Sequence, residues 1–114
     1  MDLLTNDAKY LLSSMYKVYI DRRKSGILKK DAVFFENLNL IQSEIMSEWK
    51  IDDVFYTCME LKKHKLIMGK PASGTMICIS LTTEAIASLE TTFKDKADQV
   101  LNYANKIKNL IPFI

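Results

Sequence analysis

Residues 65 to 85, KLIMGKPASGTMICISLTTEA, restrict the fold more than any other stretch of this chain. Leu66 to Met68 and Met76 to Leu81 are β-prone runs, and GKPASGT between them supplies turn residues: Pro71 fixes φ, and Ser73-Gly74 permits positive φ. Ile77, Ile79 and Leu81 alternate with Met76, Cys78 and Ser80, the pattern of a half-buried strand. LTTEA then turns strand into helix, with Thr82 or Thr83 as cap and Glu84 in the first turn, where the helix dipole favours an acid. The stretch therefore predicts a β-hairpin that feeds a helix.

Helical periodicity surrounds it. Ala8, Leu11, Leu12, Met15 and Tyr19 form one stripe over residues 6 to 24, capped by Thr5 or Asn6 and stopped at Ser25-Gly26. Ile27 and Leu28 read as a short extended piece, followed by a helix beginning near Lys29 to Asp31 and interrupted at ENLN. Leu40, Ile41, Ile45 and Met46 line the next helix, and Trp49 reads as a core plug. IDDVFYTCMELKKHKLI is the best-defined helix: Asp52 or Asp53 caps it, Ile51 acts as a hydrophobic staple, and Val54, Phe55, Cys58 and Leu61 make the buried stripe.

The C-terminal part has a different regularity. Phe93, Ala97, Val100, Ala104, Ile107 and Ile111 alternate by four and three, the spacing of a coiled-coil seam, and Leu101 and Leu110 widen it. An unbroken helix of about 30 residues from Thr82 would reach roughly 45 Å and would need a partner. The alternative is two shorter helices, bent near Thr91-Thr92, with the last folded back on the domain.

Composition narrows the function classes. With 48% apolar residues, three Gly and two Pro, the 114 residues can bury a single core without a disulfide or metal. No stretch approaches the roughly 20 uncharged residues of a membrane span, and the start lacks the pattern of a leader, so a cytoplasmic protein is expected. Cys58 and Cys78 read as buried structural thiols. One histidine, His64 among lysines, offers neither a histidine metal centre nor a triad. Asp7, Asp31, Asp52, Asp53 and Glu84 sit at helix starts, where structure alone explains them. No phosphate loop, nucleophile motif or metal cluster is present, so no enzyme and no cofactor is expected.

The element order is helix, short strand, helix, helix, strand, turn, strand, helix. KKDAVFF, IQSEIMSEWKIDDVFYTCMELKKHKLI and ISLTTEAIASLE resemble the small uncharacterised winged-helix proteins of Gram-positive bacteria and their phages, the YjcQ-like group. The resemblance spans roughly residues 8 to 90 and rests on W-x-I-D-D-V and L-T-x-E-A-I. It implies an α+β, mostly α fold: a winged helix with three core helices and a short β-hairpin wing over residues 1–92. An additional C-terminal helix, 93–114, would serve dimerisation or packing. Residues 40 to 48 would be the positioning helix, 53 to 64 the recognition helix and 66 to 81 the wing.

The function expected on that fold is duplex DNA binding and transcription regulation by a homodimer. Arg22, Arg23, Lys29, Lys30, Tyr56, Thr57, Lys62, Lys63 and Lys70 are the candidate nucleic-acid contacts. Phe93, Ala97, Val100, Leu101, Ala104, Ile107 and Ile111 are the candidate dimer seam. A net charge of +2, from 16 basic and 14 acidic side chains, is low for a protein that grips phosphates, so the contact must come from local clustering. The second reading is a winged-helix protein-interaction module of the kind phages carry, without DNA binding. It is favoured by the near-neutral charge, the acidic start of the recognition helix, and Tyr56, Met59 and Phe113 as exposed apolar candidates.

Overall fold

The computed structural model describes residues 3–94 and 96–111; Phe113 and the end of the 93–114 segment lie outside them. Helix α1 (Asn6–Lys24) is the centre of the molecule, with Ala8, Leu11, Leu12, Met15, Tyr16, Tyr19 and Ile20 buried. The Thr5 hydroxyl caps it, accepting the Ala8 N–H at 3.2 Å, and Gly26 at φ +89° turns the chain away.

The next segment departs from expectation. Lys29–Ala32 makes only one helical turn, α2, and the strand follows it as β1 (Phe34–Asn37), while Ile27 and Leu28 are exposed. A single turn has little stability of its own. Phe35 is buried and Phe34 exposed, the segment pairs antiparallel with β3 (Thr75–Leu81) from Phe34 opposite Ser80, and the Val33 carbonyl accepts the Leu81 N–H at 2.9 Å. Asn37 then caps α3 (Leu38–Glu44) by accepting the Leu40 N–H at 2.9 Å. Trp49 fills the core against Tyr10, ring centroids 6.2 Å apart, and its buried Nε1 has no hydrogen-bond partner among the described residues.

Helix α4 (Ile51–Lys63) begins after Lys50, so Asp52 and Asp53 lie in its first turn instead of at its cap. They still meet the positive end of the helix dipole. Ile51 is the first helical residue and is exposed, so it is no staple. Strands β2 (Ile67–Ala72) and β3 (Thr75–Leu81) complete an antiparallel sheet in the order β1-β3-β2. Ala72 pairs with Thr75, leaving Ser73-Gly74 as a two-residue turn with both φ positive, +51° and +80°, the type I′ geometry that suits a twisted hairpin. Pro71 lies in edge strand β2, not in the turn.

The simple alternation expected for β3 is interrupted. Met68 pairs with Ser80 but Lys70 pairs with Ile77, so β3 carries one extra residue, and Cys78 sits at the bulge with φ +54°. Met76, Ile79 and Leu81 are buried as a result, whereas Ile77 and Cys78 face outward; the expectation of two buried thiols holds for Cys58 alone. Gly69 lies opposite, where a Cβ would come within 2.5 Å of the Met76 sulfur.

Thr82 caps α5 (Thr83–Phe93), accepting the Ala85 N–H at 3.1 Å, and donates its hydroxyl to the Lys65 carbonyl at 2.8 Å. Lys94, at φ +51°, ends α5, and α6 (Ala97–Lys108) folds back along α1. Residues 82 to 111 are thus two helices. The break is at Lys94; Thr91 and Thr92 remain helical, their hydroxyls bonded to the Ala87 and Ser88 carbonyls. The described residues extend 35 Å at most, shorter than the unbroken helix would have been.

Candidate nucleic-acid interface

The three core helices α1, α3 and α4 with the β2-β3 hairpin make a winged-helix-like fold, in which α4 is the counterpart of a recognition helix and the hairpin is the wing. On α4, Val54, Thr57, Cys58 and Leu61 face inward, so the outward ridge is Asp52, Tyr56, Met59 and Lys63, with Tyr56 79% exposed. Thr57 was expected on this ridge. It is buried instead, and its hydroxyl donates to the Asp53 carbonyl at 2.7 Å, because the helix turns it beside Val54 and Leu61. Burial among such groups also pushes the Cys58 thiol up to about 12.

One acid of α4 is engaged elsewhere. Both Glu60 carboxylate oxygens accept from Thr5, one from its backbone N–H at 2.9 Å and one from its hydroxyl at 2.7 Å. Asp53 and Glu60 also lie near Asp7, whose pKa is raised, chiefly by partial burial and then by these two like charges. Asp53 and Glu60 thus face the start of α1, while Asp52 stays on the outward ridge.

The basic residues gather at the other end. Lys62, Lys65 and Lys70 line one groove of about 740 Å³ at the base of the wing, together with Val33, Ile67, Met68, Cys78, Ser80, Leu81 and Glu84. Lys65 is the residue that the candidate set omitted. It occupies a left-handed turn (φ +61°) between α4 and β2, and its only sequence signal is membership of LKKHKL. Lys63 is exposed beside this groove in sequence but points along the outer ridge with Tyr56.

No family model, curated protein or solved structure matches this chain.

The second basic cluster divides. Arg23 and Lys29 share a cleft of about 360 Å³ with Lys24, Tyr19, Ile20 and Glu90, and none of these residues lines the wing groove. Lys30 is exposed on α2. Arg22 is committed to the fold: its Nη1 donates to the carbonyls of Phe34 at 2.8 Å and Ala32 at 3.2 Å, and its guanidinium lies 4.6 Å from the Phe35 ring centroid. This blunts the outer edge of β1 and leaves Arg22 poorly placed for a phosphate.

The candidate dimer seam is spent within one chain. Phe93, Val100, Ala104, Ile107 and Ile111 are buried and Ala97 is half-buried, against α1 and α5; Phe93 packs on Tyr16 and Tyr103 at 6.3 and 5.3 Å. Only Leu101 of the set is exposed. The break at Lys94 makes this possible, since it lets the seam residues of α6 close on their own domain. Among the described residues no group of three or more His, Cys, Asp or Glu is placed to hold a metal ion, and no helix is long and apolar enough to cross a membrane.

Proposed function

We propose that this chain is a cytoplasmic winged-helix DNA-binding protein, a transcription regulator of the kind its resemblance to the YjcQ-like group suggests. It would lay α4 along a groove of duplex DNA and steady it with lysines at the base of the wing. One observation carries the reading: Lys62, Lys65 and Lys70 converge on one groove where α4 meets the wing, with Lys63 on the adjoining ridge, while Glu60 is tied to Thr5 on the far flank. A recognition helix and wing contact DNA from this side of the fold. Tyr56 and Met59 would face the base edges, and Asp52 would accept from a cytosine amino group. Each chain would act through one half-site, because the C-terminal seam is used internally.

Fluorescence anisotropy with labelled duplexes tests this at low and rising salt. Binding should weaken with a slope of about −0.9 per phosphate neutralised, and the double variant Lys62→Ala/Lys65→Ala should reduce the slope by about two such contacts. Arg22→Ala should not change it. Absence of any duplex binding at low salt by the folded protein would reject the proposal.

A further inference from the structure

The groove at the wing base is more apolar than a phosphate backbone requires. Its accessible apolar floor is Met68, Cys78 and the half-buried Val33, over the core residues Ile67 and Leu81; Met68 is 62% exposed on the outer face of the sheet, in register with Ser80. Lys62, Lys65 and Lys70 stand around that floor, with Glu84 as the acid among its lining residues. A phosphodiester chain would engage the lysines and leave the floor in contact with water. A peptide that offers carboxylates and apolar side chains together would engage both.

We propose that this groove is the docking site of an acidic protein segment that carries apolar side chains. The carboxylates pair with Lys62, Lys65 and Lys70, and the apolar side chains cover Met68 and the exposed Cys78. Charge complementarity selects this partner: three lysines against one glutamate disfavour a basic or neutral segment. The proposal rests on the DNA reading in one respect only. The lysines are common to both occupants, so an acidic partner displaces DNA and acts as its regulator.

The full chain, isotope-labelled for NMR, is titrated with a short synthetic peptide alternating glutamate with leucine and phenylalanine. Two control peptides replace its glutamates by lysine or its apolar residues by serine, and duplex DNA is titrated separately. Shifts should map to Met68, Lys70, Cys78 and Ser80, and neither control should bind. Met68→Ser, at an exposed position that leaves the core intact, should weaken the peptide about tenfold while duplex affinity stays within about twofold. Lys65→Glu should weaken both. Peptide binding without duplex binding would support the docking site and remove the DNA reading. Duplex binding with no peptide binding would overturn the docking site alone. Equal binding of the serine control, shifts outside the groove, or an unchanged peptide affinity in Met68→Ser would also overturn it.

Discussion

Glu60 on α4 and Thr5 at the start of α1 are joined by two hydrogen bonds, of 2.9 and 2.7 Å, across 55 positions of sequence. The same Thr5 hydroxyl accepts the Ala8 N–H, so one carboxylate orders the cap of the central helix and anchors α4. Glu60→Ala should destabilise the fold by about 1 kcal/mol, the modest value reflecting solvent exposure of the pair. Thermal unfolding should show a loss of roughly 4 °C, with duplex binding no weaker than in the parent. A larger loss of DNA affinity than of stability would place Glu60 in the interface instead.

Asp7 lies beside Asp53 and Glu60 and holds its proton above the ordinary carboxylate range, mainly through partial burial. Its pKa is higher folded than unfolded, so the folded state binds the proton more tightly. Acidification through the carboxylate range therefore favours folding at this residue, and rising pH removes that benefit. Asp7→Asn should gain stability relative to the parent as pH rises from about 3 to about 7. Urea unfolding at several pH values measures it; a constant or shrinking difference would contradict the assignment.

Arg22 and Arg23 are neighbours with different work. Arg22→Ala removes two hydrogen bonds to the Ala32 and Phe34 carbonyls and the contact with Phe35, and should cost about 1–2 kcal/mol. Lysine there should recover little, having no planar group to lie on the ring. Arg23→Ala removes an exposed side chain whose Nη1 donates to the Ile27 carbonyl, and should stay within about 0.5 kcal/mol. Chemical denaturation of the three variants separates these outcomes.

Lys94 holds a left-handed conformation, φ +51° and ψ +44°, at the junction that sends α6 back toward α1. Glycine takes this conformation without the Cβ clash, so Lys94→Gly should stabilise by roughly 0.5–1 kcal/mol. A β-branched residue such as valine should have the opposite effect. Both are read from the urea midpoint.

The parts of this fold that were legible in the sequence are those with local causes. Thr5 and Thr82 cap helices with their own side chains, and Ser73-Gly74 closes a hairpin by its permitted dihedrals. What was hidden depends on distant partners. Phe34 and Phe35 look helical until β3 is present to pair with them, and the bulge at Cys78 lies across the hairpin from Gly69, whose missing Cβ leaves room for Met76. The candidate site divides in the same way. Lysines after a helix could be read as a cluster, but that Lys62, Lys65 and Lys70 share a groove, or that Arg22 serves β1, follows only from how strands and helices pack.

The C-terminal seam shows the limit of periodicity most sharply, and it can be tested directly. Four-three spacing describes any helix with one apolar stripe against a neighbour, whether the neighbour is α1 or a second chain. Here Val100 is fully buried on the inner face of α6, against its own domain. Val100→Ala deletes two methyl groups there and should cost about 2 kcal/mol from lost burial and the cavity left behind. Intramolecular packing makes that loss independent of protein concentration, whereas a zipped dimer would lose stability more at dilution, through mass action. Thermal unfolding of parent and variant over a hundredfold concentration range, with sedimentation to follow mass, distinguishes the two. A midpoint that rises with concentration in the parent and collapses in Val100→Ala would return the seam to an interface between chains.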